Sequence, residues 1–217
     1  MPAVPPAAYS ALPAPVRTCL RAAGPALRSV AKKDPAGFVK NLLRLLSSSS
    51  AALGCRAEEA LFLTGFDGSN GTPGRLDAAL AELRAVLFLK SEGFTGIGAL
   101  PRTAGKTADL RAERAGEKYL FEVRWVRDGF GAETAEKLSA KCLKKAAQLR
   151  AALKKSGAGS GGVIFVAEPL GSGPLRPSRA LAAAAASVRL PARGGPKISV
   201  CLVSGNEAAV SPPWSGQ

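Results

Sequence analysis

The stretch Lys106-Thr-Ala-Asp109-Leu-Arg-Ala-Glu-Arg114-Ala115-Gly116-Glu117-Lys118-Tyr-Leu-Phe-Glu122-Val-Arg124-Trp-Val126 reads as two strands joined by a two-residue turn. With Ala115-Gly116 at the tip, Arg114 pairs with Glu117. The ladder, carried backwards, then sets Asp109 directly across from Glu122. Opposed residues share a face with Cβ atoms about 5 Å apart, and like charges at that distance destabilise a sheet unless a cation lies between them. A divalent metal is the simplest such cation. The plainer expectation for Asp109 is a surface ion pair with Arg111 or Arg124.

Hydrophobicity checks this register, because a slip of one residue sends every side chain to the other face. Tyr119, Phe121, Val123 and Trp125 make one apolar face, and Lys118, Glu122 and Arg124 share the other. A slipped hairpin would place Asp109 among the aromatics.

Outward from the hairpin, Thr72-Pro73 is a strong helix start, and a helix nearly apolar all round is expected over 73–92, packed on the sheet. Strands are expected at 96–102, 106–113 and 118–126, and a long helix at 133–155. The apolar run Gly162-Val-Ile-Phe-Val-Ala167 reads as a buried central strand. An Ala-rich helix at 178–188 and a strand at 197–203 follow. The loop Gly65-Phe-Asp-Gly-Ser-Asn-Gly71 lacks the Gly-Lys-Ser/Thr of a Walker loop. Before it, Asp34-Pro35 starts a helix carrying Phe38, Leu42, Leu45 and Leu46, which Ser47–Ser50 is expected to end. The organisation predicted is a Pro/Ala-rich N-terminus with helical extension at 1–70, an α/β core with a central mixed sheet flanked by helices at 71–205, and a C-terminal tail at 206–217, of which Ser211–Gln217 is expected to be loose.

Composition narrows the chemistry. The 217 residues, 47% of them hydrophobic, can bury a full core, and 30 Lys and Arg against 16 Asp and Glu give a formal charge of +14. Such a balance favours a polyanionic partner and salt-dependent binding. The chain contains no histidine, which excludes Ser-His-Asp triads, Cys-His dyads and imidazole acid–base chemistry. Cys19, Cys55, Cys142 and Cys201 are isolated, with no CxxC pair, and are expected as reduced residues of a cytoplasmic protein. Prolines interrupt the N-terminus before any signal-peptide-like run develops. The longest apolar stretch, Ala180–Ala186, falls far short of the roughly 20 residues that span a bilayer.

The order helix, three strands, helix, buried strand, with Asp109 and Glu122-Val123-Arg124 on paired strands, resembles the PD-(D/E)XK restriction-endonuclease-like superfamily over about residues 73–168. The resemblance implies a core of order α-β-β-β-α-β and a metal-dependent nuclease, acting on DNA, that hydrolyses phosphodiester bonds. It implies Mg2+, with Mn2+ as a substitute, held by Asp109, Glu122 and the Val123 carbonyl. A homodimer would suit a double-stranded substrate. The alternative is a cleavage-inactive nucleic-acid-binding module on the same fold.

Magnesium suits this pattern, since it takes carboxylate and water oxygens and activates bound water without histidine. Glu82, on the preceding helix, is the candidate accessory carboxylate. Arg124 stands where the family most often has lysine; it can hold a phosphate but cannot give up its proton near neutral pH. A lysine from the next helix is the substitute. There Lys137, Lys141, Lys144, Gln148 and Lys155 fall within an arc of about 60°, with Lys144 and Gln148 preferred at the site and the lysines along a nucleic-acid backbone. A solvated face of an amphipathic helix accounts for the same stripe.

Overall fold

The computed structural model describes residues 9–100, 108–130, 135–188, 190 and 195–214. Helices α1 (Ala14–Cys19), α2 (Pro25–Lys33), α3 (Pro35–Leu53) and α4 (Ala57–Leu63) come first, followed by α5 (Arg75–Ser91). Strands β1 (Thr95–Ala99), β2 (Leu110–Arg114) and β3 (Glu117–Trp125) lead into α6 (Ala135–Ser156). The chain continues through β4 (Ser160–Ala167), β5 (Arg176–Pro177), α7 (Arg179–Ser187), β6 (Lys197–Ser204) and β7 (Glu207–Ser211). All seven strands form one mixed sheet of order β1-β2-β3-β4-β6-β7-β5.

The hairpin forms in the expected register. Ala115 and Gly116 have φ of 50° and 78°, the paired positive values of a type I′ turn, whose twist matches that of the strands it joins. Arg114 pairs with Glu117 and the ladder continues to Leu110 opposite Phe121. Beyond that pair the regular β2–β3 ladder stops. Asp109 N–H donates to the Phe121 carbonyl at 2.9 Å, and the Asp109 carboxylate, instead of a main-chain carbonyl, accepts the Val123 N–H at 2.7 Å. The expected strand over 106–113 therefore starts only at Leu110, and residues 101–107 lie outside the described part of the chain.

From β3 onward the sheet turns parallel: β3 pairs with β4 and β4 with β6. Parallel strands are covered on both faces, and all eight residues of β4 are accordingly buried. One face, with Leu120, Val163, Phe165 and Leu202, packs on Leu138, Cys142, Leu149 and Leu153 of α6 and on α7. The other, with Tyr119, Phe121, Val123, Ile164 and Val203, packs on Ala81, Ala85, Phe88 and Leu89 of α5. On its far side α5 carries the N-terminal helices, through Leu76, Leu80 and Leu83 against Leu42, Leu45, Leu46 and Leu61. A helix held between two layers has little exposed face, which explains its apolar circumference.

Two expectations are corrected. Ser47–Ser50 does not end its helix; α3 runs on to Leu53 and is closed by Gly54 at φ 68°. Ser49, fully buried, donates its hydroxyl to the Leu45 carbonyl at 2.6 Å, so a polar run is accommodated inside the helix. As far as Trp214, the last described residue, the C-terminal segment is not loose. β7 pairs antiparallel with β6, and Trp214 is buried, its indole N–H donating to Glu92 Oε2 at 2.8 Å and its ring set edge-on to Phe94, Tyr119 and Phe121.

The cysteines are free thiols: Cys19, Cys142 and Cys201 are buried and Cys55 half-buried. Among the described residues, no helix is long and apolar enough to cross a membrane.

Candidate functional site

Glu122 lies in the middle of β3 on the face turned toward α6, with none of its surface exposed. A carboxylate so placed requires polar partners. One oxygen has such a partner: Lys145 Nζ, from α6, donates to Glu122 Oε2 at 2.6 Å. The other, Oε1, is buried with no hydrogen-bond partner. Gln148 Oε1 accepts from the same ammonium at 3.4 Å.

Asp109 takes its position from the end of the β2–β3 ladder. Because the ladder stops there, its side chain occupies the space of the next main-chain bond and is anchored by Val123 N–H, one residue after Glu122. The two carboxylates feel each other. Burial pushes the Glu122 carboxyl up, the Lys145 ammonium draws it down, and the neighbouring Asp109 carboxylate pushes it up again, to about 6 from an ordinary 4.5.

The expected pair is thus brought together, and the plainer ion pair of Asp109 with Arg111 or Arg124 gives way to a contact with the main chain. Val123 is present through its N–H, bound to Asp109. Gln148 reaches the site through Lys145. Arg124 has the same strand parity as Glu122 and is exposed. Glu82 is buried on α5, which covers the sheet face opposite Glu122, and among the described residues no group of three or more Asp, Glu, Cys or His side chains is close enough to hold a metal.

The lysine nearest the carboxylates is Lys145, not Lys144, which is exposed. The signal for it was in the helix spacing. Lys145 lies three residues after Cys142 and four before Leu149, within the stripe that packs on the sheet, so a cation there must either find an anion or be expelled. Lys137, Lys141 and Lys155 are exposed on the same helix.

A groove of about 630 Å3 adjoins the pair. Leu100, Ala108, Arg111, Lys118, Leu120 and Lys155 line it; Ala108 directly precedes Asp109 in the chain, and Leu120 lies two residues before Glu122 on β3. Neither carboxylate lines it; its remaining walls include Glu113 of β2 and Ala152 and Ser156 near the C-terminal end of α6.

Comparisons of the chain with protein-family models, with curated proteins and with solved structures give no match.

Proposed function

We propose that the protein is a metal-dependent nuclease of the restriction-endonuclease-like type, acting on DNA, with Asp109 and Glu122 as metal ligands. The observation that carries this reading is the buried, unpartnered Oε1 of Glu122 on the face it shares with Asp109. The element order α5-β1-β2-β3-α6-β4, with β3 and β4 parallel, supports the same core.

The residues fit the metal. Two carboxylates supply hard oxygens, Mg2+ uses one or two protein carboxylates and completes its shell with water and phosphate oxygens, and an unpaired buried acceptor is a suitable ligand atom for such a cation. When bound, the metal would lower the pKa of a water and neutralise charge on the phosphate. The chain's own residues do the rest. Val123 N–H and Lys145 each hold one carboxylate oxygen of the pair, leaving Asp109 Oδ1 and Glu122 Oε1 as the ligand atoms. Lys145 also keeps Glu122 in its ionised form against the effect of burial. It takes the role assigned by resemblance to the lysine that Arg124 replaces. Exposed Arg124 receives a non-bridging phosphate oxygen, and one strand follows Arg111, Lys118 and Lys155 along the groove.

Purified protein is expected to cut plasmid or single-stranded DNA with Mg2+ or Mn2+. Asp109→Asn and Glu122→Gln should each abolish cutting while salt-sensitive binding persists. A cleavage-inactive binding module is the second reading, favoured by Glu122 being fully enclosed and tied to Lys145. Binding without cutting in either metal would select it. Absence of both binding and metal uptake would remove both readings.

A further inference from the structure

A second charged site lies on the far side of α5, where α3, α5 and the chain after β4 meet. Arg84 sits midway along α5 with only 4% of its surface exposed. Its Nη2 donates to the Gly205 carbonyl at 2.5 Å and reaches the Gly173 carbonyl and Asn206 Oδ1 at 3.4 and 3.3 Å, all neutral acceptors. Its Nε is buried and has no partner. Burial draws the pKa of this guanidinium below the ordinary arginine value, and no neighbouring carboxylate offsets that effect. A charge taken out of water without a counter-charge is unfavourable, and natural proteins pair such groups.

Arg84 lines a pocket of about 450 Å3 whose other polar walls are Arg44 and Ser48 from α3, Lys90 and Ser91 from the end of α5, and Ser172. Arg44 donates to the Ser172 carbonyl, which closes one side. No acidic residue lines the pocket. Glu168, whose carboxylate lies beside Gly205, is itself exposed and so compensates a buried cation weakly. Gly171 lets the loop lie directly on the guanidinium, since a Cβ there would collide with Arg84 Nη2, the Gly205 carbonyl and Asn206 Oδ1.

We propose that this pocket binds a phosphate group, with the buried, uncompensated Arg84 guanidinium supplying charge at its base and Arg44, Lys90 and the Ser48 hydroxyl at its rim. Phosphate is the anion that matches the site: a dianion takes charge from three cations, and its several oxygens take hydrogen bonds from the Arg44 guanidinium, the Lys90 ammonium and the Ser48 hydroxyl at once. The pocket, at about 450 Å3, leaves room for a phosphate carried by a larger molecule, either a small phosphorylated compound or the phosphorylated end of a nucleic acid. The site stands whether or not the hairpin carboxylates support cleavage, because it shares no residue with them.

Isothermal titration of the full chain with inorganic phosphate, at ionic strength held constant with chloride, tests the proposal. One saturable site is expected, and Arg44→Gln and Lys90→Gln, both at exposed positions, should each weaken it about tenfold or more. Nitrogen-15 NMR supplies the second readout: the Arg84 Nε–H resonance should move with phosphate, and Arg84→Met should remove both the resonance and the binding. A 5′-phosphorylated dinucleotide that binds more tightly than inorganic phosphate, with no binding of its 5′-hydroxyl counterpart, assigns the phosphate to a nucleic-acid end. Inorganic phosphate binding with the dinucleotide excluded assigns it to a small compound. Absence of saturable phosphate binding overturns the proposal, as does binding that leaves the Arg84 resonance in place and is unchanged in both rim variants.

Discussion

Replacing Lys145 by Met keeps most of the aliphatic stem and removes the ammonium that holds Glu122, so it isolates one electrostatic interaction. Glu122 in the folded protein has a pKa of about 6 against an ordinary 4.5. A carboxyl raised by folding favours the folded state fully below its unfolded pKa, and that contribution is lost as pH rises through the folded pKa. The window is therefore about pH 4.5 to 6. At about 1.36 kcal/mol per unit, the shift already amounts to about 2 kcal/mol of lost stability at neutral pH.

Without Lys145 the carboxylate is left with burial and Asp109, both of which raise its pKa further. The loss has a ceiling, because the buried group can always take up a proton. At about pH 7.5, protonating a carboxyl whose unfolded pKa is 4.5 costs about 4 kcal/mol, so Lys145→Met can remove at most about 2 kcal/mol beyond the present penalty. At about pH 4.5 the same substitution should remove almost nothing by this route. Urea unfolding with a chelator present, repeated across that range, measures the difference. Carbon-13 NMR of the Glu122 carboxyl should show its midpoint moving above 6. Equal destabilisation at both ends of the pH range, or an unmoved midpoint, would refute the reasoning.

Ala115 at φ 50° occupies a turn position that asparagine adopts more readily, so Ala115→Asn should raise the unfolding free energy by about 0.5–1 kcal/mol in the same denaturant assay. Trp214→Ala removes a buried ring and the bond to Glu92; a loss of about 3–5 kcal/mol is expected in chemical unfolding, and a negligible change would mean the C-terminal segment is not docked. Arg124→Ala, at an exposed position, should leave stability within about 0.5 kcal/mol. In a salt titration of binding to a fluorescent oligonucleotide, it should lower the slope of log K against log salt by about 1. An unchanged slope would place Arg124 away from the phosphates.

The Asp109–Glu122 pair was legible because its determinants are local. A two-residue turn and the apolar series Tyr119, Phe121, Val123 and Trp125 on one strand suffice to set which side chains oppose each other. Lys144 was preferred and Lys145 passed over because helical spacing alone gives two adjacent arcs, one basic and one apolar, and does not say where the sheet crosses them. Lys144 belongs to the first arc and is exposed; Lys145 lies at the edge of the second, directly over Glu122. Trp214 was missed for a different reason. Its partners Glu92, Phe94, Tyr119 and Phe121 are far away in sequence, and the prolines before it resemble the composition of a loose end.

By itself, then, the chain's sequence determined the hairpin and its register, the buried central strand, the apolar helix before the sheet and the exclusion of imidazole chemistry, since each depends on neighbours within a few residues or on what is absent altogether. Tertiary structure alone decided that one oxygen of Glu122 is tied to Lys145 while the other is orphaned, that Glu82 lies across the sheet from that pair, and that Arg84 is buried among neutral acceptors. Those outcomes depend on desolvation and on which helix covers which face, and both arise only when segments far apart in the chain exclude water from one another.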